Sequence, residues 1–421
     1  MALGAQLGLF ASLNFFDDWA LEMMPIKFVV AAILSGLAYL LAVSEFSGEG
    51  PRAYWIFWLV TIGLRLLALP LTPANEVWRY QADGVIQRGG INPYETSPSN
   101  FGFSENTQEL TRVPRNTEPT AYSPGAEILF RAIPVPNGVL ISKLIFGAAD
   151  LLAVVLLLKL VDLRTAAWFA WNPLIAYSFF GAAHFDSIVL LAIVAMVVCL
   201  TRFETSASAR SRWSYAFAAS VALGIAVSVR PVTIVLLLPA VFALRRYAFA
   251  LILAILLPAA TAAVFGIRRT GAWSFFGDFP QIGRLNDLFW WMTEETVWSN
   301  WHQQHYRYDV VIMIVSTVVA LLFARNWRRG MLWSLGAAII FAPVLHAWYV
   351  TWILPLATWR RAFAWHFLSV TIFAYYLFFN ERLFALPWRA EPWMRGIIIL
   401  PVVFAMIMLI RQRLSRREPT T

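Results

Sequence analysis

Five polar residues fall on one helical face between positions 76 and 87. Glu76, Arg79, Tyr80, Asp83 and Gln87 stand at i, i+3, i+4, i+7 and i+11, the spacing at which helical side chains become neighbours. A carboxylate can take a proton from a hydroxyl, an arginine can hold an anion, and a phenol can hydrogen-bond either. Periodicity alone leaves a plainer reading open. An acid in a first helical turn is favoured by the helix dipole, and Glu76–Arg79 is then an ordinary surface pair.

The element that must carry these residues reads as a short interfacial helix. Thr72-Pro73 marks its start, with Thr72 as N-cap and Pro73 at the first helical position. Val77, Trp78, Ala82, Val85 and Ile86 form the apolar remainder. Gly89-Gly90 ends the helix, and Ile91-Asn92-Pro93-Tyr94 turns the chain. At a 1.5 Å rise per residue Glu76 and Asp83 lie about 10.5 Å apart along the axis, too far to act as one coupled pair.

The rest of the chain sets the solvent for that helix. Of 421 residues, 60% are hydrophobic and only 14% charged, which leaves too little polar surface for a water-soluble globule. A soluble enzyme, a DNA-binding protein and a secreted disulfide module are excluded. The expected fold is all-α, a polytopic membrane bundle in a single domain over 1–421. Apolar runs at 26–44, 54–71, 138–161, 166–184, 186–201, 215–229, 231–244, 248–266, 309–324, 330–345, 347–359, 363–380 and 396–411 give about thirteen transmembrane helices. The net charge of +9 is the lysine and arginine excess that orients such helices in the cytoplasm, and nucleic acid is not an expected partner. Cys199 is the single cysteine and forms no internal disulfide. A cleavable signal peptide is not expected, because residues 1–16 lack a basic start and lead into Asp17-Asp18.

Basic clusters at Arg202, Arg210 and Arg212, at Arg245-Arg246, at Arg325, Arg328 and Arg329, at Arg360-Arg361 and at 411–417 recur between the spans. Placing all of them in the cytoplasm makes 215–244 a hairpin with Arg230-Pro231 at its outer apex. Two long connections, 72–137 and 267–308, then share the outer face of the cell membrane with His184–Asp186 and His346. The first is a large loop with interfacial helices, too long for mere connection. The second is aromatic, and its Trp301-His302-Gln303-Gln304-His305 reads as polar loop.

The wording of the first loop goes further than its periodicity. Asn75-Glu76-Val77-Trp78-Arg79-Tyr80, Asp83-Gly84, Gly90-Ile91-Asn92-Pro93-Tyr94 and Tyr122-Ser123-Pro124-Gly125 resemble the first outer loop of GT-C superfamily glycosyltransferases. The likeness is to the bacterial polyprenyl-phosphate-mannose-dependent mannosyltransferase-like branch. Trp171-Asn172-Pro173-Leu174, Gly181-Ala182-Ala183-His184-Phe185-Asp186 and His346-Ala347-Trp348-Tyr349 extend it from about residue 54 to about 360. The resemblance implies a GT-C-like bundle and a polyprenyl-phosphate sugar donor, with mannose as the hexose. It also implies a glycan or lipid acceptor and a catalytic acid in the first outer loop. The family's paired Asp-Asp is Asn75-Glu76 here, so Glu76 is the ionisable member.

That chemistry needs little else. One carboxylate takes the acceptor's proton as its oxygen attacks the anomeric carbon, and cations steady the departing phosphate. Glu76 with Arg79 and Arg230 suits such a single displacement, which inverts the anomeric centre. Asp83 is the second candidate acid, with a role in acceptor placement or loop order. Asn75, Arg79, Tyr80, Asn92, Tyr94, Tyr122, His184, Asp186, Arg230 and His346 are the expected substrate-binding residues. His184 and Asp186 are open to structural hydrogen bonding, substrate binding or, with a third histidine, metal ligation. Arg230 either binds phosphate or snorkels to the interface, and His346 either meets the donor phosphate or caps the interface. No cofactor is expected, and a divalent cation has no support in the sequence. A Gly-rich phosphate loop is missing, so ATP-driven transport has none either. Two rival readings stay open: a carrier or flippase for a lipid-linked sugar, and a GT-C-like protein made inactive by Asn75.

Overall fold

The helix Met24–Glu45 is rich in small residues on its buried side, where they lie among Phe28, Val29, Tyr39, Leu40 and Val43. In Met24–Glu45 the buried side carries Ala31, Ala32, Ser35, Gly36, Ala38 and Ala42, while Leu34, Leu37 and Leu41 are exposed. Lipid is as apolar as leucine, so close helix contact here comes from small side chains rather than from leucine burial. The computed structural model describes all residues except 20, 22, 102–112, 135–136, 267–306, 325, 343, 378, 380–391 and 416–421.

The protein is an all-α polytopic membrane protein. Among the described residues, Met24–Glu45, Gly138–Leu157, Asp186–Thr205, Ala209–Val229 and the run Pro231–Val264 are long and apolar enough to cross a bilayer. Shorter apolar helices are Ala2–Phe15, Val311–Leu322, Ala364–Leu377 and Trp393–Phe404. The stretch 166–184, expected as one span, is broken. Leu163–Ala170 stops at Trp171, Pro173–Ala176 makes one turn, and Tyr177–Gly181 is a wide π turn. Asn172 causes the break, because its side chain caps the Leu174 N–H at 2.9 Å just where Pro173 has no N–H to offer. The expected aromatic loop 267–308, with His302 and His305, falls almost wholly outside the described residues.

Two charged residues stand inside the bundle and answer each other. Arg65 on Gly50–Ala68 and Asp150 on Gly138–Leu157 pair through Nε–Oδ2 at 2.9 Å and Nη2–Oδ1 at 3.2 Å, both fully buried. Arg65 Nη1 donates to the carbonyls of Thr61 and Ala170, so the pair ties three segments together with its polar atoms satisfied.

Asp186–Thr205 is the measuring rod of the fold. Asp186 begins it beside Arg230, and Glu204 near its end receives Trp327 Nε1 at 2.7 Å and the Arg328 guanidinium. At 1.5 Å per residue those two charged groups lie about 27 Å apart. Arg230 and the Arg328–Arg329 cluster thus occupy opposite ends of one span.

Candidate active site

The first loop begins later as a helix than its sequence suggests. Thr72 donates its N–H to Asp17 Oδ2, and Ala74 N–H reaches the Ala182 carbonyl at 3.0 Å. With these groups engaged by tertiary partners, Thr72-Pro73 does not start the helix. It runs Glu76–Arg88, with Asn75 at the N-cap and no side-chain cap. Lys143 fixes the chain just before it, donating to the carbonyls of Leu69 and Leu71.

Close approach explains the glycines and small residues of the loop motifs. A Cβ on Gly84 would strike the Phe130 carbonyl, so Gly84 lets this helix lie against Pro124–Arg131. Tyr80 stacks on Phe130 at 4.4 Å with a 12° interplanar angle. Arg88 Nη1 then takes the carbonyls of Arg131 and Ile133 at 2.9 and 2.6 Å. The Tyr122-Ser123-Pro124-Gly125 motif is stapled to the end of Ala209–Val229. Ser123 Oγ donates to the Val229 carbonyl at 2.6 Å, and a Cβ on Gly125 would meet the Ser228 backbone at 2.5 Å. Tyr122 is thereby held next to the residue that precedes Arg230.

Asn92 and Tyr94 also hold the loop. Asn92 Nδ2 donates to the Phe265 carbonyl at 3.0 Å while its Oδ1 accepts from Tyr94 N–H at 3.1 Å. Tyr94 Oη donates to the Tyr122 carbonyl at 2.7 Å.

Inside the loop lies a closed polar cluster. Arg79 Nε donates to both carboxylate oxygens of Asp83 at 2.9 Å, and its two outer nitrogens donate to the carbonyls of Arg115 and Glu118 at 2.7 and 2.9 Å. Glu127 accepts from Thr120 Oγ1 at 2.7 Å and from Gln87 Nε2 at 2.7 Å. Asp83 and Glu127 are wholly buried and hydrogen-bonded to each other. Burial and the neighbouring Asp83 charge push the Glu127 carboxyl well above the usual range. Burial also raises Asp83, against the pull of Arg79.

Glu76 is set apart from that cluster, half-buried at the helix start. Its charge reaches Tyr80 and Tyr122 on the loop, and Tyr349 and Tyr376 from the C-terminal half. Burial pushes the Tyr80 and Tyr122 phenols well above their usual range, so both remain hydrogen-bonding hydroxyls. Arg230 faces the same space. Its Nε and Nη2 donate to Asp186 at 2.8 and 3.0 Å, and Trp352 Nε1 donates to Asp186 Oδ1 at 2.9 Å. The guanidinium lies 4.5 Å from the Phe185 ring and 5.2 Å from that of Tyr349.

His184 has different neighbours from Asp186. Its ring stacks on Trp348 at 3.8 Å, and Trp348 stacks on His346 at 4.4 Å. His346 Nδ1 is 2.8 Å from Tyr375 Oη. Among the described residues no group of three or more His, Cys, Asp or Glu side chains forms a metal cluster.

A carboxylate, an arginine and several phenols therefore converge where the first loop meets the helix ends that carry Asp186 and Arg230. The sequence pattern of the alpha-(1->6)-mannopyranosyltransferase family, N-terminal domain, matches residues 11–246, more than half of the chain. The chain belongs to this mannosyltransferase family. Its activity class is mannosyl transfer. The matched region of the mannosyltransferase holds Glu76, Asp83, Glu127, Asp186 and Arg230, and it ends before His346. None of the curated proteins and none of the solved structures compared with the chain matches it.

The structure brings Tyr80, Tyr122, Arg230 and Asp186 of the mannosyltransferase together, with Glu76 in charge reach of the two tyrosines, and stacks both His184 and His346 on Trp348. It turns Arg79 and Asp83 inward, onto each other. Sequence reasoning gave Glu127 no role, took in Trp348 and Tyr349 only as part of the motif that opens at His346, and passed over Trp352. Glu127 carried a signal, an acid two residues after the Pro-Gly of a recognised motif. The three aromatic residues carried none beyond their nearness to His346.

Proposed function

We propose that this mannosyltransferase moves mannose from a polyprenyl-phosphate donor to an acceptor hydroxyl at the outer face of the cell membrane, with inversion. Glu76 is the general base. Its carboxylate takes the proton of the acceptor hydroxyl while that oxygen bonds to the anomeric carbon, and the bond from that carbon to the phosphate oxygen breaks. Polyprenyl phosphate leaves with the electron pair.

The observation that supports this reading most directly is the different use made of the loop's acids. Asp83 and Glu127 are enclosed in a cluster of their own, whereas Glu76 stands within electrostatic reach of Arg230's neighbours Tyr80 and Tyr349. All three guanidinium nitrogens of Arg79 are engaged, by Asp83 and two carbonyls, whereas Asp186 takes only Nε and Nη2 of Arg230, so Arg230 is the cation for the departing phosphate. Arg115, whose charge reaches His346, adds a second positive group from the loop. A fixed guanidinium matched to a phosphate's developing charge is the main electrostatic aid such a reaction needs.

The outer-face location rests on the charge alternation along the chain and on the opposite placement of Arg230 and the Arg328–Arg329 cluster along one span. An Asn116→Cys variant should react with a membrane-impermeant maleimide in intact cells, and an Ala207→Cys variant only after permeabilisation. The reverse pattern overturns the location. For the reaction, purified protein is incubated with labelled polyprenyl-phosphate mannose and candidate acceptors, and a transfer product is expected. Movement of the lipid-linked sugar across proteoliposomes without any product would instead support a carrier.

A further inference from the structure

The ring column beside Arg230 carries polar atoms that the surrounding fold does not engage. Among the described residues, His184 Nδ1 and Trp348 Nε1 are buried with no protein partner, as are Ser178 Oγ and Ser187 Oγ in the same segment. His184 is 1% exposed and Trp348 6%. Buried polar atoms are nearly always paired, so four of them gathered on one short segment and its stacking partner mark a place for a polar ligand.

The column also limits how that ligand binds. Trp348 stacks with His184 at 3.8 Å and 19° and with His346 at 4.4 Å and 5°. With two imidazole rings already stacked on it, this indole is poorly placed to serve as a flat platform beneath a sugar ring. Its edge offers an N–H donor. The serine hydroxyls donate or accept, and a neutral imidazole nitrogen does one or the other according to its tautomer. All four groups suit neutral hydroxyls. The charged group, Arg230, comes from the end of another helix and is bound to Asp186, two residues beyond His184.

The geometry points to His184 and Trp348 as the residues that read the hydroxyl pattern of the transferred hexosyl ring, through edge-on hydrogen bonds from buried ring nitrogens. Trp348 is the specificity residue of the pair. This rests on the donor reading above and adds to it a division of labour, with the sugar at the column and the phosphate at Arg230. A buried donor left facing a misplaced hydroxyl rejects that ligand, because the donor has no water to turn to.

Trp348→Phe tests it, since phenylalanine preserves a stacked ring and deletes only the N–H. Transfer is measured with the mannosyl donor and with its glucosyl epimer, alongside binding of labelled polyprenyl phosphate with and without the hexosyl group. The expected result is a rise of roughly 3–10-fold in KM for the mannosyl donor, with weakened preference over the epimer. The unfolding temperature and the affinity for sugar-free polyprenyl phosphate should be unchanged. His184→Phe should behave alike. Unaltered KM and epimer preference overturn the inference, as does equal loss of affinity for the sugar-free lipid phosphate. If the parent protein transfers no hexose, the donor reading fails. The binding comparison then decides the column separately, because a hexosyl-dependent affinity that Trp348→Phe removes supports it and one left intact overturns it.

Discussion

Glu127 lies against Asp83 with both carboxyl groups wholly buried and a single arginine, Arg79, bonded to Asp83. One proton shared between the two acids leaves the cluster balanced against that arginine. The linkage runs on to Tyr122, because Thr120 Oγ1 donates to Glu127 at 2.7 Å and accepts from Tyr122 N–H at 3.1 Å. An acid–acid contact thereby helps to hold a phenol beside Glu76.

That contact makes the loop sensitive to pH. Both carboxyl groups are raised above their ordinary values by burial, so the folded protein keeps a proton that the unfolded chain has released. Over that interval the folded state binds more protons, and stability falls as pH rises, by at most about 1.4 kcal/mol per pH unit for one proton. The contribution is fully present below the ordinary carboxylate pKa and is lost on passing upward through the raised value. Glu127→Gln, whose amide can still donate to Asp83, should flatten the fall. Thermal unfolding of the detergent-solubilised protein from roughly pH 5 to roughly pH 9 reads this directly, and parallel slopes for the two proteins would refute it.

Removing the proposed base should separate chemistry from binding. Glu76→Gln is expected to lower kcat by about 10²–10⁴-fold with little change in donor KM or expression. Asp83→Asn should weaken activity less, through looser seating of the loop, and should lower the unfolding temperature. Steady-state kinetics on both variants decide the assignment. Near-normal turnover by Glu76→Gln with a dead Asp83→Asn protein would transfer the role to Asp83.

The staple between the loop and the bundle offers a steric test. An alanine methyl at Gly125 must enter the Ser228 backbone at 2.5 Å, so Gly125→Ala should destabilise by about 1–3 kcal/mol and reduce transfer by displacing Tyr122. Gly63→Ala, where nothing lies within 4 Å, is the control. It should be neutral or stabilising by about 0.5–1 kcal/mol in its helix. Equal behaviour of the two variants in unfolding would count against the staple.

Arg65 and Asp150 predict a different pattern. Breaking a buried ion pair from one side leaves a charge with no answer, so Asp150→Leu should cost about 3–5 kcal/mol. The double replacement Arg65→Met with Asp150→Leu should regain most of it, because two apolar side chains leave nothing buried and unpaired. Denaturation in mild detergent compares the three proteins, and additive losses would contradict the pairing.

How much of this was legible depended on whether a feature is local. The helix around Glu76–Arg88 follows from spacing within thirteen residues, and its ending at Gly89 from glycine chemistry. Arg230 at a corner followed from charge placement between apolar runs. The Asp186–Arg230 bond spans 44 residues and the Trp352–Asp186 bond 166, and no periodicity records such distances. The start of the helix was misread for the same reason. Thr72 has the chemistry of a cap, but its hydroxyl and its N–H both turn to Asp17, 55 residues away. Membrane-length counting likewise could not show that Asn172 interrupts an apolar stretch, since Pro173 and its neighbours are apolar enough to pass as span.

The bond between Ser123 and Val229 joins residues 106 positions apart, and that between Asp186 and Trp352 joins residues 166 apart. Translation delivers the chain from the N-terminus onward, and early parts fold before later ones exist. A nascent chain that has released Glu76, Asp83 and Glu127 from the ribosome still lacks the helix end to which its loop is fastened. The loop can complete its inner cluster at that stage, but it acquires a fixed address only when Val229 and Arg230 emerge. The residues that close the far side of the sugar-reading column come last of all. Order of synthesis therefore sets the order of assembly: the acid first, the arginine's helix end next, and the aromatic wall from 346–352 after both.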